Sequence, residues 1–181
     1  MVRHEPPPRA PSTLETRRLD LRALRSGEAP VLRRLCDEPA VRHHLFDGDP
    51  VSLGEARAMI RCSESDFAAG SVGLFGLRRR DADGLIGFSG LFVVECVGEP
   101  ELVYALHPTL WGLGLATEAA RAVVAYSLER VGLGRVLVAT DGENAASARV
   151  IEKLGARSLG SISPASPGVD YYEIRTGRGP R

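Results

Sequence analysis

The stretch Trp111-Gly-Leu-Gly-Leu-Ala-Thr117 decides how this chain is read. It lies between a strand predicted over Glu101 to Leu106 and a helix predicted over Thr117 to Arg130. Small residues at Gly112, Gly114 and Ala116 let backbone N–H groups approach a ligand without side-chain obstruction. A helix opening at that point adds unpaired donors and the positive end of its dipole. Together these features make a site for a phosphate or a diphosphate, although a plain connecting turn can carry the same glycines. An ATPase-type loop needs Gly-Lys-Ser/Thr at its end, and this one has Leu115-Ala116-Thr117. A dinucleotide fold wants Gly-x-Gly-x-x-Gly with an acid ending the next strand. Asp141 supplies that acid, but Thr117 stands in place of the third glycine. The motif also follows about a hundred residues of other structure, with a single strand–helix–strand crossover after it, where a doubly wound sheet needs more.

Upstream of the glycines, Arg18-Leu-Asp-Leu-Arg-Ala-Leu24 alternates as a strand, with Leu19 and Leu21 on one face. Ser26 is placed to cap a following helix in which Val31, Leu32 and Leu35 share a face, and Phe46-Asp-Gly-Asp-Pro50 stops it. Ser52-x-x-Glu55 is a capping-box pattern opening a second helix, buried along Ala56, Met59 and Ile60 and ended by Gly70. Strands follow over Val72 to Leu77 and Leu85 to Val94, joined by a turn through Asp83-Gly84. Downstream come a strand over Arg135 to Thr140, a helix over Ala145 to Leu154 closed by Gly155, and a last strand over Val169 to Thr176. The expected organisation is a disordered tail over residues 1–12, one mixed α/β domain over 13–176 and a flexible end over 177–181.

The 181 residues suit one ordinary domain, and their 44% hydrophobic and 25% charged content is that of a soluble globular protein. Twenty-three basic residues balance twenty-three acidic ones, which removes any bulk-charge argument for nucleic acid. No apolar run approaches membrane-spanning length, and the N-terminus lacks a secretory core, so a cytoplasmic protein is expected. Cys36, Cys62 and Cys96 are odd in number and widely spaced, fitting reduced thiols, with neither a disulfide framework nor a metal site expected.

The glycine stretch resembles the acetyl-CoA loop of the GNAT superfamily, written Gln/Arg-x-x-Gly-x-Gly/Ala, with Gly114 and Ala116 at its small positions and Trp111 where Gln or Arg is usual. Trp-Gly-x-Gly-x-Ala-Thr-Glu-Ala looks like the branch of ribosomal-protein N-terminal (RimJ/RimL-type) acetyltransferases. Leu14-Glu-Thr-Arg-Arg-Leu-Asp-Leu-Arg22, Leu85-Ile-Gly-Phe-Ser-Gly-Leu91, and Asn144-x-x-Ser147 with Glu152-Lys-Leu-Gly-Ala156 resemble further segments of that branch, in its order. The resemblance implies a mixed central sheet of six to seven strands flanked by about four helices. It implies acetyl-CoA as cosubstrate without a metal, a primary-amine acceptor, direct attack in a ternary complex, and homodimers as a family tendency. Amides of Gly112, Leu113, Gly114, Leu115, Ala116 and Thr117 would hold the diphosphate, with Trp111 beside them as a packing anchor or part of the acceptor wall. The strand ending at Leu106-His107 would part from its neighbour, and the N–H of one of these two would polarise the thioester carbonyl. Asn144 would lie near the pantetheine and Ser147 near the sulfur.

Glu101 is the expected base, with Glu95 and Glu99 as alternatives and an ordinary solvated carboxylate as the plain reading of each. An α-amine with pKa about 7.8 is roughly one-tenth neutral at pH 7, whereas a lysine amine is neutral in about one molecule in several thousand, so an α-amine asks less of a base. Many family members place a proton-donating tyrosine in the last helix, where this chain has Ile151. Ser147, if not bonded to its own helix, or water would then protonate the thiolate, or CoA would leave as the thiolate. The missing tyrosine also admits a CoA-binding module with little catalysis, and a dinucleotide-binding protein is the third alternative. His43-His44 is read as a surface pair without a partner acid, or else as part of the acceptor wall. Arg78-Arg79-Arg80 is read as a solvated turn, or as a contact for an acidic protein.

Overall fold

The computed structural model describes residues 13–94, 98–162 and 168–175. The N-terminal tail, the end over 177–181, Glu95 and Cys96 lie outside the described residues. Strands β1 (Thr13–Glu15), β2 (Leu19–Ala23), β3 (Leu74–Arg79), β4 (Gly87–Val94) and β5 (Glu99–Leu106) run antiparallel in sequence order. Then α4 (Leu115–Ala125) crosses over to β6 (Val136–Asp141), which lies parallel to β5. A parallel neighbour requires such a crossover, so the glycine turn and the amino end of α4 are forced to the carboxyl ends of β5 and β6. After α5 (Ala145–Leu154), β7 (Arg157–Gly160) and β8 (Val169–Ile174) complete the sheet in the order β1-β2-β3-β4-β5-β6-β8-β7.

Helices α1 (Ala29–Cys36), α2 (Pro39–Leu45) and α3 (Leu53–Ala68) cover one face of the sheet, with Leu32, Ile60, Leu74 and Phe88 in a common core. Helices α4 and α5 cover the other, with Phe75, Leu102, Val123 and Ile151. Leu74 and Phe75 are adjacent yet feed opposite layers, which is why β3 reads as an unbroken apolar run. Each fully buried Leu or Phe contributes roughly 1.5–3 kcal/mol of burial, so the sheet beneath the crossover is a stiff platform.

Eight strands and five α-helices stand among the described residues, against the six to seven strands and about four helices expected. The extra strands are short edges of three and four residues with no apolar alternation to announce them. The extra helix arises at Pro39. Proline pushes Glu38 out of the helical region, to φ −57° and ψ 127°, and splits what the sequence presents as one helix. Ser26 does not cap α1. It opens a short 3-10 turn (Ser26–Glu28), closed by the Glu28 carboxylate accepting from the Arg25 N–H at 2.9 Å. The Ser52–Glu55 capping box forms as expected, with bonds of 3.2 and 2.7 Å. Helix α4 starts two residues earlier than expected and widens into a π turn over Tyr126–Val131.

Candidate active site

Strands β5 and β6 share one registered pair, Glu101 with Leu137, and then diverge toward Leu106 and Asp141. The gap opens into a cavity of about 260 Å³, bordered by both strand ends, the glycine turn, the start of α5 and one side of α2. The amino termini of α4 and α5 therefore both face it. Gly114 is the N-cap of α4 at φ +74°, a left-handed conformation that glycine adopts without steric cost, and Gly112 repeats it at φ +77°. Leu115 and Thr117 are buried beneath the turn, while Gly112, Leu113 and Gly114 are exposed. An open cradle of main chain at a helix start suits an anion, and a diphosphate fits that chemistry.

Trp111 is 40% exposed, so it is not a packing anchor under the loop. Its indole N–H donates to the Leu106 carbonyl at 2.8 Å, tying the turn to the end of β5. The His107 amide donates to the Ile86 carbonyl at 2.9 Å, and its ring lies 2.9 Å from the Thr109 hydroxyl and 3.6 Å from Glu38. Hydrogen-bonding direction alternates along an antiparallel strand, so if His107 points at β4 the amide of Leu106 points away, toward the gap.

Of the three carboxylates considered as a base, Glu95 lies outside the described residues and Glu99 is gripped by Arg135, whose guanidinium holds its pKa down. Glu101 borders the cavity, and burial, with no cation to offset it, pushes its pKa up to about 7. A carboxyl at that value exchanges protons near neutral pH, as a base must.

Ser147 does not bond back to its own helix. Its Oγ lies 2.8 Å from the Tyr104 hydroxyl across the gap, while its N–H donates to the Asn144 side chain at 2.9 Å. Asn144 thus caps α5 and also borders the cavity. Burial raises the Tyr104 pKa, and the Ser147 hydrogen bond only partly offsets this, so the phenol stays protonated at neutral pH. The sequence signal for Tyr104 is its place three residues after Glu101 on a strand aimed at the gap, yet it was not among the expected site residues. Ile151, where a family tyrosine would stand, is 2% exposed and belongs to the core.

His44 lies near an acid that the sequence did not reveal, although its buried Nδ1 makes no hydrogen bond among the described residues. It borders the cavity with Nδ1 3.7 Å from the Asp141 carboxylate, and stacks edge-on with His43 at 4.8 Å. The other Asp141 oxygen accepts from the amides of Glu143 and Asn144 at 2.9 and 2.7 Å, closing a turn before α5. Arg78, Arg79 and Arg80 pair with Glu28, Asp81, and Asp20 with Glu15, which leaves no free basic cluster at that turn. Among the described residues no cluster of metal-ligating side chains occurs, and no helix is long and apolar enough to cross a membrane.

Known proteins place this arrangement. A relative from Bacillus licheniformis, "Uncharacterized N-acetyltransferase p20", is 27% identical over 151 residues, 83% of this chain and 85% of that protein. The crystal structure of an acetyltransferase from Agrobacterium tumefaciens str. C58 superposes with a TM-score of 0.80 at 24% identity, covering 91% of this chain and 94% of its own. RimL, the ribosomal L7/L12 alpha-N-protein acetyltransferase, in complex with coenzyme A superposes with a TM-score of 0.72 at 17% identity, covering 92% and 97%. The model of the acetyltransferase (GNAT) domain matches residues 18–157, from β2 to the first residue of β7. The parted strands and the glycine turn at their mouth are therefore those of a GNAT domain, and this chain belongs to that family of N-acetyltransferases.

Proposed function

We propose that the protein uses acetyl-CoA to acetylate a primary amine, by direct attack with both substrates bound. The observation that carries this is the single β5–β6 pair at Glu101, which leaves an open seam beside a helix-capping glycine turn. Acetyl-CoA supplies an activated acetyl thioester. Amides of residues 112–117 hold its diphosphate, and Asn144 borders the arm's path into the seam. The Leu106 N–H, with its carbonyl fixed by Trp111, donates to the thioester oxygen, where such a donor contributes roughly 3 kcal/mol in other enzymes.

Glu101, directly or through one water, takes the proton that the amine nitrogen sheds. The Tyr104–Ser147 pair delivers a proton to the departing sulfur, the role that Ile151 cannot fill. The amine enters from the side walled by Val41, His44 and Leu45 of α2. A base titrating at about 7 suits an α-amine with pKa about 7.8 far better than a lysine amine near 10.4. Together with the structural likeness to RimL, this favours a peptide or protein N-terminus in the RimJ/RimL manner.

Release of CoA-SH over a panel of N-terminal peptides and small amines tests the proposal. Amine-dependent release that Glu101→Gln slows about a hundredfold supports it. Saturable CoA binding with no release from any amine would leave only a coenzyme-binding module.

A further inference from the structure

The segment before β2 reaches across the fold to the first turn of α4. The Arg18 N–H and Nε donate to the two oxygens of Glu118 at 2.8 and 2.7 Å, and the Thr16 hydroxyl donates to the first of these oxygens at 2.7 Å. Arg18 Nη1 then donates to the Leu113 carbonyl at 2.9 Å. One guanidinium thus holds both the glycine turn and the helix it caps, from about a hundred residues away in sequence.

Two consequences follow from elementary geometry and charge. A trans peptide points its C=O and N–H in opposite directions, and the described chain has no cis bonds. Drawing the Leu113 carbonyl toward Arg18 therefore aims the N–H of Gly114, a residue that borders the cavity, away from Arg18. Glu118 also suits the helix dipole but places a negative charge beside any anion bound at the turn. Arg18 cancels that charge on the spot.

We propose that Arg18 is a positioning residue for the coenzyme: it orients the Gly114 amide and screens Glu118 from the bound diphosphate. The inference rests on the coenzyme-binding function proposed above and adds a residue outside the glycine turn to it. Isothermal titration with CoA-SH, steady-state kinetics and thermal melting on the full chain test it. Arg18→Ala should weaken CoA binding about tenfold while kcat at saturating acetyl-CoA stays within about twofold. Arg18→Lys keeps the charge but has lost the fork that serves two acceptors, and should recover only part of the affinity. Adding Glu118→Ala to Arg18→Ala should tighten binding again, because the unscreened carboxylate is gone. Thr16→Val removes a neighbouring bond to Glu118 without touching Leu113, so it should lower the melting temperature and spare the affinity. Arg18→Ala or Arg18→Lys binding as the wild type does, or affinity falling in step with melting temperature across all four variants, overturns the proposal. A wild-type protein that fails to bind CoA instead overturns the function on which it rests.

Discussion

Replacing Glu101 by glutamine should make the protein more stable and less active at once. In the folded chain the carboxyl titrates at about 7, against 4.5 for a free glutamate, and burial is the cause. A raised carboxyl pKa means that the folded state binds the proton more tightly than the unfolded one. Stability contributed by this group is then fully present below pH 4.5 and falls as pH rises toward 7. At 1.36 kcal/mol per pH decade the interval corresponds to roughly 3 kcal/mol at most. Because the side chain is only half-buried, water at the cavity mouth reduces this to about 1–2 kcal/mol. Glutamine has the same shape without the charge, so above pH 7.5 the variant should melt about 2–8 °C higher than the wild type. The difference should vanish near pH 4.5. Differential scanning fluorimetry in buffers from pH 4.5 to 8.5 reads this directly, with amine-dependent CoA release followed on the same samples. A variant that melts lower at pH 8, or whose melting difference does not change with pH, refutes both the buried carboxylate and its assignment as base.

Tyr104→Phe and Ser147→Ala should each lower kcat about tenfold with little change in KM for acetyl-CoA, and combining them should cost little more, as the single proton donor proposed above requires. Gly114→Ala forces a β-carbon into a left-handed N-cap; it should cost about 1–2 kcal/mol and raise KM for acetyl-CoA, checked by melting and initial rates. Trp111→Phe removes the indole bond to the Leu106 carbonyl and should raise KM for acetyl-CoA several-fold while far-UV dichroism is unchanged. Glu173, gripped by Arg135, Arg157 and Arg175, has its pKa lowered to about 2, so the stability it contributes is present above pH 4.5 and lost as pH falls toward 2. Glu173→Gln should flatten the acid-unfolding curve across that window.

The local parts of this fold were legible because each carries its own signal. Helix α5 has the expected bounds, closed by Gly155 at φ +71°, since the terminal glycine is a local signal in the sequence itself. The glycine turn was legible for the same reason. What could not be read was whatever depends on residues brought together from afar. Arg18 meets Glu118 of α4, and His44 of α2 approaches Asp141 at the end of β6, only because the folded sheet brings these elements together. The Tyr104 hydroxyl finds Ser147 only once the strands have diverged by the right amount. Pro39 is the exception, a local signal set against the apolar spacing around it, and in the structure the backbone restriction at Glu38 prevails.

The near-absence of rungs between β5 and β6 has a mechanical side. Five strands on one flank and three on the other share one registered backbone pair, and side-chain links such as Glu99–Arg135 and Tyr104–Ser147 and the core beneath α4 carry the rest, so the backbone ladder has a fault line through its middle. A guest lying in that fault acts as a girder as well as a reactant. With the acetyl-CoA proposed above as that guest, proteases and the cell's quality-control machinery should distinguish the loaded molecule from the empty one, and the protein's lifetime should follow the local supply of acetyl-CoA.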